Sequence, residues 1–227
     1  MSTWHDEEIA CPFCGVTQVV KVATGLHISR LPHIREKVIR GELHRFACSS
    51  CAREIEVRQR VIYTDFDRGH WIEVWPAQDI AQWRELAPAC QARYQQAVER
   101  GAPILRERVR DFRVRLVFGY DELREKLVLW DAGFDDVAVE ILKLLAVRRD
   151  PSIFGIDDRL VVRAVVDGTL EIDRTRGGAP AGTTTLTTST GELESLRAEL
   201  EPALDHAFSD PFVSINRLIG RPSVTAS

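Results

Sequence analysis

The chain has 227 residues, enough for one large domain or two small ones with a real core. Apolar residues make up 44% and charged residues 28%, which excludes collagen, wholesale disorder and a disulfide-dense miniprotein. The net charge is -4 and no third of the chain is basic, so composition gives no nucleic-acid field. No stretch reaches the ~18–20 apolar residues of a membrane span. MSTWHDEEIA lacks the apolar core of a signal peptide, so a cytoplasmic location is expected.

The cysteines are unevenly spread. Four lie at positions 11, 14, 48 and 51, and Cys90 stands alone; five of the six histidines also precede position 71. TQVVKVATGLHI (17–28) is β-branched and interrupted by Gly25, which predicts a strand or a bulged pair. LPHIREKVIRG (31–41) spaces Leu31, Ile34, Val38 and Ile39 as a helix does, with Gly41 at the C-cap. EIEVRQRVIYTD (54–65) reads as one strand, DFDRG (65–69) as a turn and HWIEVWP (70–76) as a strand closed by Pro76. Residues 1–76 are expected to form a β-rich unit with one inserted helix.

Beyond it, Asp79 can cap a short helix through Ala87, and Pro88 can open another to Gly101. FRVRLVF (112–118) alternates as a strand, with Arg113 and Arg115 on its solvent face. DELREKLVLW (121–130) restarts a helix that stops near Gly133, and 135–149 is amphipathic with a stripe of Val137, Ile141, Leu144 and Leu145. Asp167-Gly168 suits the type I′ turn of a hairpin over 159–174. RGGAPAG (176–182) reads as a flexible connector and TTTLTTST (183–190) as an edge strand. A helix from about Gly191 carries Leu193, Leu196, Leu200, Leu204 and Ala207 on one stripe, which is core or, if exposed, a dimer face. A short helix is expected over 211–219, then a mobile tail. The predicted class is α+β: an N-terminal zinc-ribbon-like unit over 1–76, then a mixed α/β body over 77–227 with a hairpin or meander and C-terminal helices.

Cys11-Pro12-Phe13-Cys14 and Cys48-Ser49-Ser50-Cys51 form two C-x-x-C pairs, 33 residues apart. Zinc prefers four thiolates in a tetrahedron, and each pair presents two sulfurs from one tight loop. The helix at 31–41 accounts for the long separation, whose entropic cost grows only logarithmically. The metal ligands are expected to be Cys11, Cys14, Cys48 and Cys51, holding a structural Zn2+. An iron–sulfur cluster, a redox dithiol or structural disulfides could use the same residues.

These residues resemble the CpXC family of bacterial and archaeal proteins, a zinc-ribbon-like domain named for paired Cys-Pro-x-Cys motifs. The first pair fits the name. The second departs from it, with Ser49 where proline is expected. LPHIREKVIRGELHRFACSSC and RLVFGYDELREKLVLWDAGFDDVAVEILKLL carry the likeness on, over roughly 9–148. The resemblance implies the fold and the metal and lends no catalytic residue.

Other groups have plain readings. His5, His27, His33, His44 and His70 lack ligand spacing. Asp65, Asp67 and His70 suit a turn, and Asp135-Asp136 with Glu140 suits a helix start, although either set could hold a cation or work as an acid–base pair. Arg106, Arg108, Arg110, Arg113 and Arg115 form the densest basic cluster and underlie a nucleic-acid alternative. Cys90 reads as a small buried hydrophobe; Trp4, Trp71 and Trp75 read as core or ribbon packing. Phosphate-loop, dinucleotide, nucleophile-elbow and zinc-protease motifs do not occur. No catalytic residue is assigned. The expected role is a zinc-stabilised, non-catalytic protein-interaction or scaffold module with a protein partner, no membrane and possible homo-oligomerisation. A nucleic-acid-binding ribbon and an enzyme with a site between ribbon and body are the alternatives.

Overall fold

The computed structural model describes residues 2–101, 103–150, 158–176 and 179–217. It is a mixed α+β structure that divides into two compact units, Met1–Leu123 and Arg124–Ser227. Among the described residues no helix is long and apolar enough to cross a membrane.

The first unit is organised by a five-stranded sheet. Its strands are β1 (Thr3–Ala10), β2 (Thr17–His27), β5 (Val61–Asp65), β6 (His70–Trp75) and β7 (Arg113–Phe118), adjacent in that order. β1 pairs antiparallel with β2, β2 parallel with β5, β5 antiparallel with β6, and β6 parallel with β7. The acidic N-terminal segment, for which the sequence predicted no element, is thus an edge strand. β2 is one continuous strand, and Gly25 sits opposite Thr3, where the register shifts. Val22, Ala23, Leu26, Val61, Tyr63, Ile72, Val74 and Leu116 form the buried surface of the sheet. The expected unit boundary at 76 falls inside this first unit, because β7 supplies the fifth strand.

Helix α1 (Pro32–Ile39) starts on Pro32, whose missing N–H costs nothing in the first turn, and buries Ile34 and Val38. It ends in a Schellman motif: Glu42 N–H reaches Lys37 O at 2.8 Å and Gly41 N–H reaches Val38 O at 3.0 Å, with Gly41 at φ 71°. A separate two-stranded ribbon pairs β3 (Arg45–Ala47) with β4 (Glu54–Glu56). This corrects the single strand expected over 54–65. Ile55 packs against Cys11 and Cys48, whereas Val61 onward joins the sheet, so residues 57–60 turn between two different partners. Helix α2 (Trp83–Arg100) follows a 3-10 turn at Ala77–Gln82 and carries Pro88 within it, where two helices were expected. Leu86, Ala87, Cys90 and Tyr94 lie on one buried face that spans both sides of the proline and keeps the helix whole. Helix α3 (Pro103–Val109) leads into β7.

Helix α4 (Tyr120–Asp131) spans the division between the units. It stops as predicted at Gly133, in a second Schellman motif: Gly133 N–H bonds Trp130 O and Phe134 N–H bonds Leu129 O. In the second unit, α5 (Asp136–Arg149) is capped by Asp135, which accepts the Ala138 N–H at 3.0 Å. β8 (Asp158–Val166), β9 (Thr169–Arg176) and β10 (Ala179–Thr187) form an antiparallel meander. Asp167 and Gly168 both take positive φ, 48° and 74°, as a type I′ turn requires. The connector expected over 176–182 is strand from Ala179 onward; positions 177 and 178 lie outside the described residues. Helix α6 (Thr190–Ala207) buries Leu193 and packs Leu196 and Leu200 beside Val137, Ile141 and Val213, so these leucines are core. The side chains of Leu204 and Ala207 lie outside the described residues. The helix expected over 211–219 is only a 3-10 turn, Ile215–Arg217; 218, 219 and the tail are not among the described residues. Phe212, Val213 and Ile215 bury consecutive side chains there, which an exposed one-faced helix could not do.

Candidate metal centre

The first C-x-x-C pair is the loop of the β1–β2 hairpin, and the second is the loop of the β3–β4 hairpin. In each, six residues join the last paired positions, Ala10–Thr17 and Ala47–Glu54. The loops fold alike. Cys11 N–H bonds Val16 O at 2.9 Å and Cys48 N–H bonds Arg53 O at 2.8 Å; Gly15 N–H bonds Cys11 O at 2.9 Å and Ala52 N–H bonds Cys48 O at 3.0 Å. Closing such a loop needs a left-handed residue right after the second cysteine. Gly15 supplies φ 75° at little cost, and Ala52 supplies φ 57° at some strain.

The two loops face each other, and the four sulfurs lie within 4.8 Å of one another. Cys11 Sγ is 3.7 Å from Cys51 Sγ, and Cys14 Sγ is 3.6 Å from Cys48 Sγ. These lengths match the edges of about 3.8 Å in a tetrahedron of ~2.3 Å metal–sulfur bonds. They are far beyond the ~2.05 Å of a disulfide. Neither pair opens a helix, the setting a redox dithiol needs. Cys11 and Cys48 are buried, while Cys14 is exposed. The N–H groups of Cys51 and Ser50 draw the Cys48 thiol down to about 6; the Ser50 N–H lies 3.4 Å from its sulfur. Against the pull of the Arg53 N–H, burial and the neighbouring thiols push Cys51 of the same loop up to about 11, so Cys48 is the readier of the two to give up its proton.

Ser49, the departure from the Cys-Pro-x-Cys pattern, has a use. Its N–H donates to Gln18 Oε1 at 2.8 Å, and Gln18 Nε2 donates to Ala47 O at 3.2 Å. Gln18 of β2 thereby clamps the second hairpin onto the first. Proline at 49 has no N–H to give. Gln18 carries no motif signal, and sequence reasoning missed it.

Among the described residues the histidines stand outside the sulfur cluster. His5 is exposed beside Glu7, His27 stacks on Phe66, and His33 is exposed. His44 is buried at φ 54° and joins elements: Ala23 N–H donates to its Nε2 at 2.8 Å, so its proton is on Nδ1, facing Tyr120 Oη at 2.7 Å. Burial holds it down to about 4. Burial likewise holds His70 down to about 4, against the pull of Asp65. Asp65 serves the turn, accepting the N–H groups of Asp67 and Arg68, with the Arg68 guanidinium at 3.3 Å. Cys90 is buried. Trp71 packs on Tyr94, and Trp75 donates to Glu73 at 2.7 Å. Arg106 and Arg108 lie on α3, and Arg113 and Arg115 lie on β7, so the basic cluster is not one surface of a single element.

Asp135 is the cap it was expected to be, but Asp136 and Glu140 are not. Both are buried, with Glu125, Lys126 and Lys143, in a charged cluster that the helical periodicity concealed. Neither a curated protein nor a solved structure matches the chain. A family model described as CpXC protein matches residues 9–143, from the end of β1 through both loops to Lys143 in α5. That is more than half of the 227 residues, and the chain belongs to the CpXC family.

Proposed function

We propose that Cys11, Cys14, Cys48 and Cys51 hold one structural Zn2+, and that the chain is a zinc-stabilised, non-catalytic module that binds a protein partner. The observation that carries this is the cluster of four sulfurs within 4.8 Å of one another. Four thiolates fill the coordination shell, so no position is left for water or substrate, and the ion acts as a staple. The first loop and the start of β2 also carry apolar side chains outward. Phe13, Val16 and Val19 are 52%, 37% and 65% exposed, and the Arg53 guanidinium lies 4.7 Å from the Phe13 ring centre. An apolar group beside a rigid metal loop is a surface for a partner rather than for chemistry.

Cys48→Ser is the direct test. Purified anaerobically, the native chain should contain one zinc and no iron, and the variant should lose the zinc and melt lower. Full zinc occupancy with an unchanged melt would refute the staple, and iron in the native chain would refute the ion. A photo-crosslinking residue at position 13 should capture a protein in the native host that a crosslinker at exposed Arg100 does not. Tight duplex DNA binding at low salt, falling steeply as salt rises, would replace the protein-partner reading.

A further inference from the structure

Glu73 in β6 is fully buried, and three donors converge on one of its oxygens. Arg60 Nε, Arg93 Nη2 and the Trp75 indole each donate to Glu73 Oε1 at 2.7 Å, and Arg93 Nε donates to Oε2 at 2.9 Å. The donors come from three places: Arg60 from the residue before β5, Trp75 from the end of β6 and Arg93 from within α2. Side-chain alternation explains the meeting. Glu73 and Trp75 share a sheet face with Trp71, which packs on Tyr94 of α2, and Ile62, two residues after Arg60, pairs with Glu73.

The two arginines do more than neutralise the buried carboxylate. Both are held against the same oxygen, so the two guanidinium groups stand within about twice a hydrogen-bond length of each other. Like charges that close repel, and the one carboxylate between them answers only one of them. Among the described residues neither arginine has a second carboxylate in salt-bridge reach. The group therefore carries one surplus positive charge.

That charge is open to solvent. The side chains of Arg60 and Arg93 are 39% and 32% exposed, whereas Glu73 is 0% exposed. Arg60 uses its Nε–H on Glu73 and keeps the N–H groups of Nη1 and Nη2; Arg93 uses Nε and Nη2 and keeps those of Nη1. The Arg60 guanidinium also lies 5.2 Å from the centre of the Trp75 ring. Both side chains are thus anchored before any ligand arrives, and little rotamer freedom is left to lose on binding.

We propose that Arg60 and Arg93, fixed by the buried Glu73 carboxylate and the Trp75 ring, form a binding site for a phosphate group. A carboxylate is matched by the fork of a single guanidinium, whereas a phosphate has the oxygens and the second negative charge to engage two. Glu73 is the positioning residue: it touches no ligand and holds the two donors that do.

Titration of the full chain with inorganic phosphate, followed by NMR at about pH 8 and constant ionic strength, tests this. The Trp75 indole N–H and the Nε–H resonances of Arg60 and Arg93 should move on one saturable curve, half complete at about 1 mM. Arg60→Gln should weaken binding about tenfold. Arg58→Gln removes an exposed arginine two residues away, one that pairs with Glu56, and should leave binding unchanged. Should Arg60→Gln fail to fold, Arg60→Lys keeps the charge without the fork and should still weaken binding severalfold. Acetate should give no saturable shift. O-phosphoserine binding more tightly than inorganic phosphate would make a phosphorylated protein the source of the group, and weaker binding would make it the free anion. A drift without saturation, which is an adventitious ion only, would overturn the site. So would an acetate curve equal to that of phosphate, saturation that Arg60→Gln leaves intact, or an equal loss in Arg58→Gln.

Discussion

Ser49→Pro restores the family's proline to the second loop, and the structure fixes what that should do. The change removes the N–H that bonds Gln18 Oε1 at 2.8 Å, a half-exposed bond of about 1 kcal/mol. It also stiffens the unfolded chain, a gain of about 0.4–1 kcal/mol where the native backbone accepts proline. The backbone should accept it, because Pro12 occupies the equivalent place in a loop with matching hydrogen bonds. In the native background the two effects nearly cancel. In a Gln18→Ala background only the gain remains. A double-mutant cycle should therefore give a coupling of about 1 kcal/mol between positions 18 and 49, with Ser49→Pro stabilising only when Gln18 is absent. Exchange of the Cys48 and Val57 amides, which report the β3–β4 ribbon, is the assay. Coupling indistinguishable from zero, or Ser49→Pro destabilising by the same amount in both backgrounds, would refute the clamp.

Two further outcomes follow from backbone and burial. Gly168→Ala should cost roughly 2–3 kcal/mol in a urea melt, because a Cβ there meets Thr188 O at 2.8 Å in addition to adopting φ 74°, whereas Gly133→Ala, at φ 76° in open space, should cost only about 1 kcal/mol. Acid should weaken the first unit between pH 6.5 and 4: His44 and His70 are neutral in the folded chain down to about 4, while their unfolded forms take up protons from 6.5. Stability is thus full above pH 6.5 and falls as pH drops, by up to about 3 kcal/mol per histidine. His44→Gln should flatten half of that slope in melts followed against pH, and an unchanged slope would contradict it.

The sulfur cluster was legible because cysteine spacing is a local signal read by one rule of coordination. The helix ends at Gly41 and Gly133 and the turn at Asp167-Gly168 were legible for a similar reason: each needs a positive φ that few residues supply. What escaped depends on distant pairing. β1 reads as an acidic tail until β2 stands beside it, and 54–65 reads as one strand until its halves find different partners. Pro88 predicts a break that a continuous buried face on α2 overrides. The charged cluster escaped because Glu125, Lys126, Asp136, Glu140 and Lys143 look like solvent-facing helix residues. Among their partners are backbone groups of Leu160, Val162, Val213 and Ile215, all outside the family-matched segment.

β2 lives in two neighbourhoods. Thr17–Ala23 pair with β1, as an arm reaching to the sulfurs, Gly25 pairs with both β1 and β5, and Leu26 and His27 pair with β5. Damage at the sulfurs therefore has a natural stopping point. A preparation stripped by chelators would hold a folded sheet with a frayed arm, and bulk spectroscopy would report such material as mostly intact. Purification of this chain is better judged by its metal-to-protein ratio than by its secondary-structure signal.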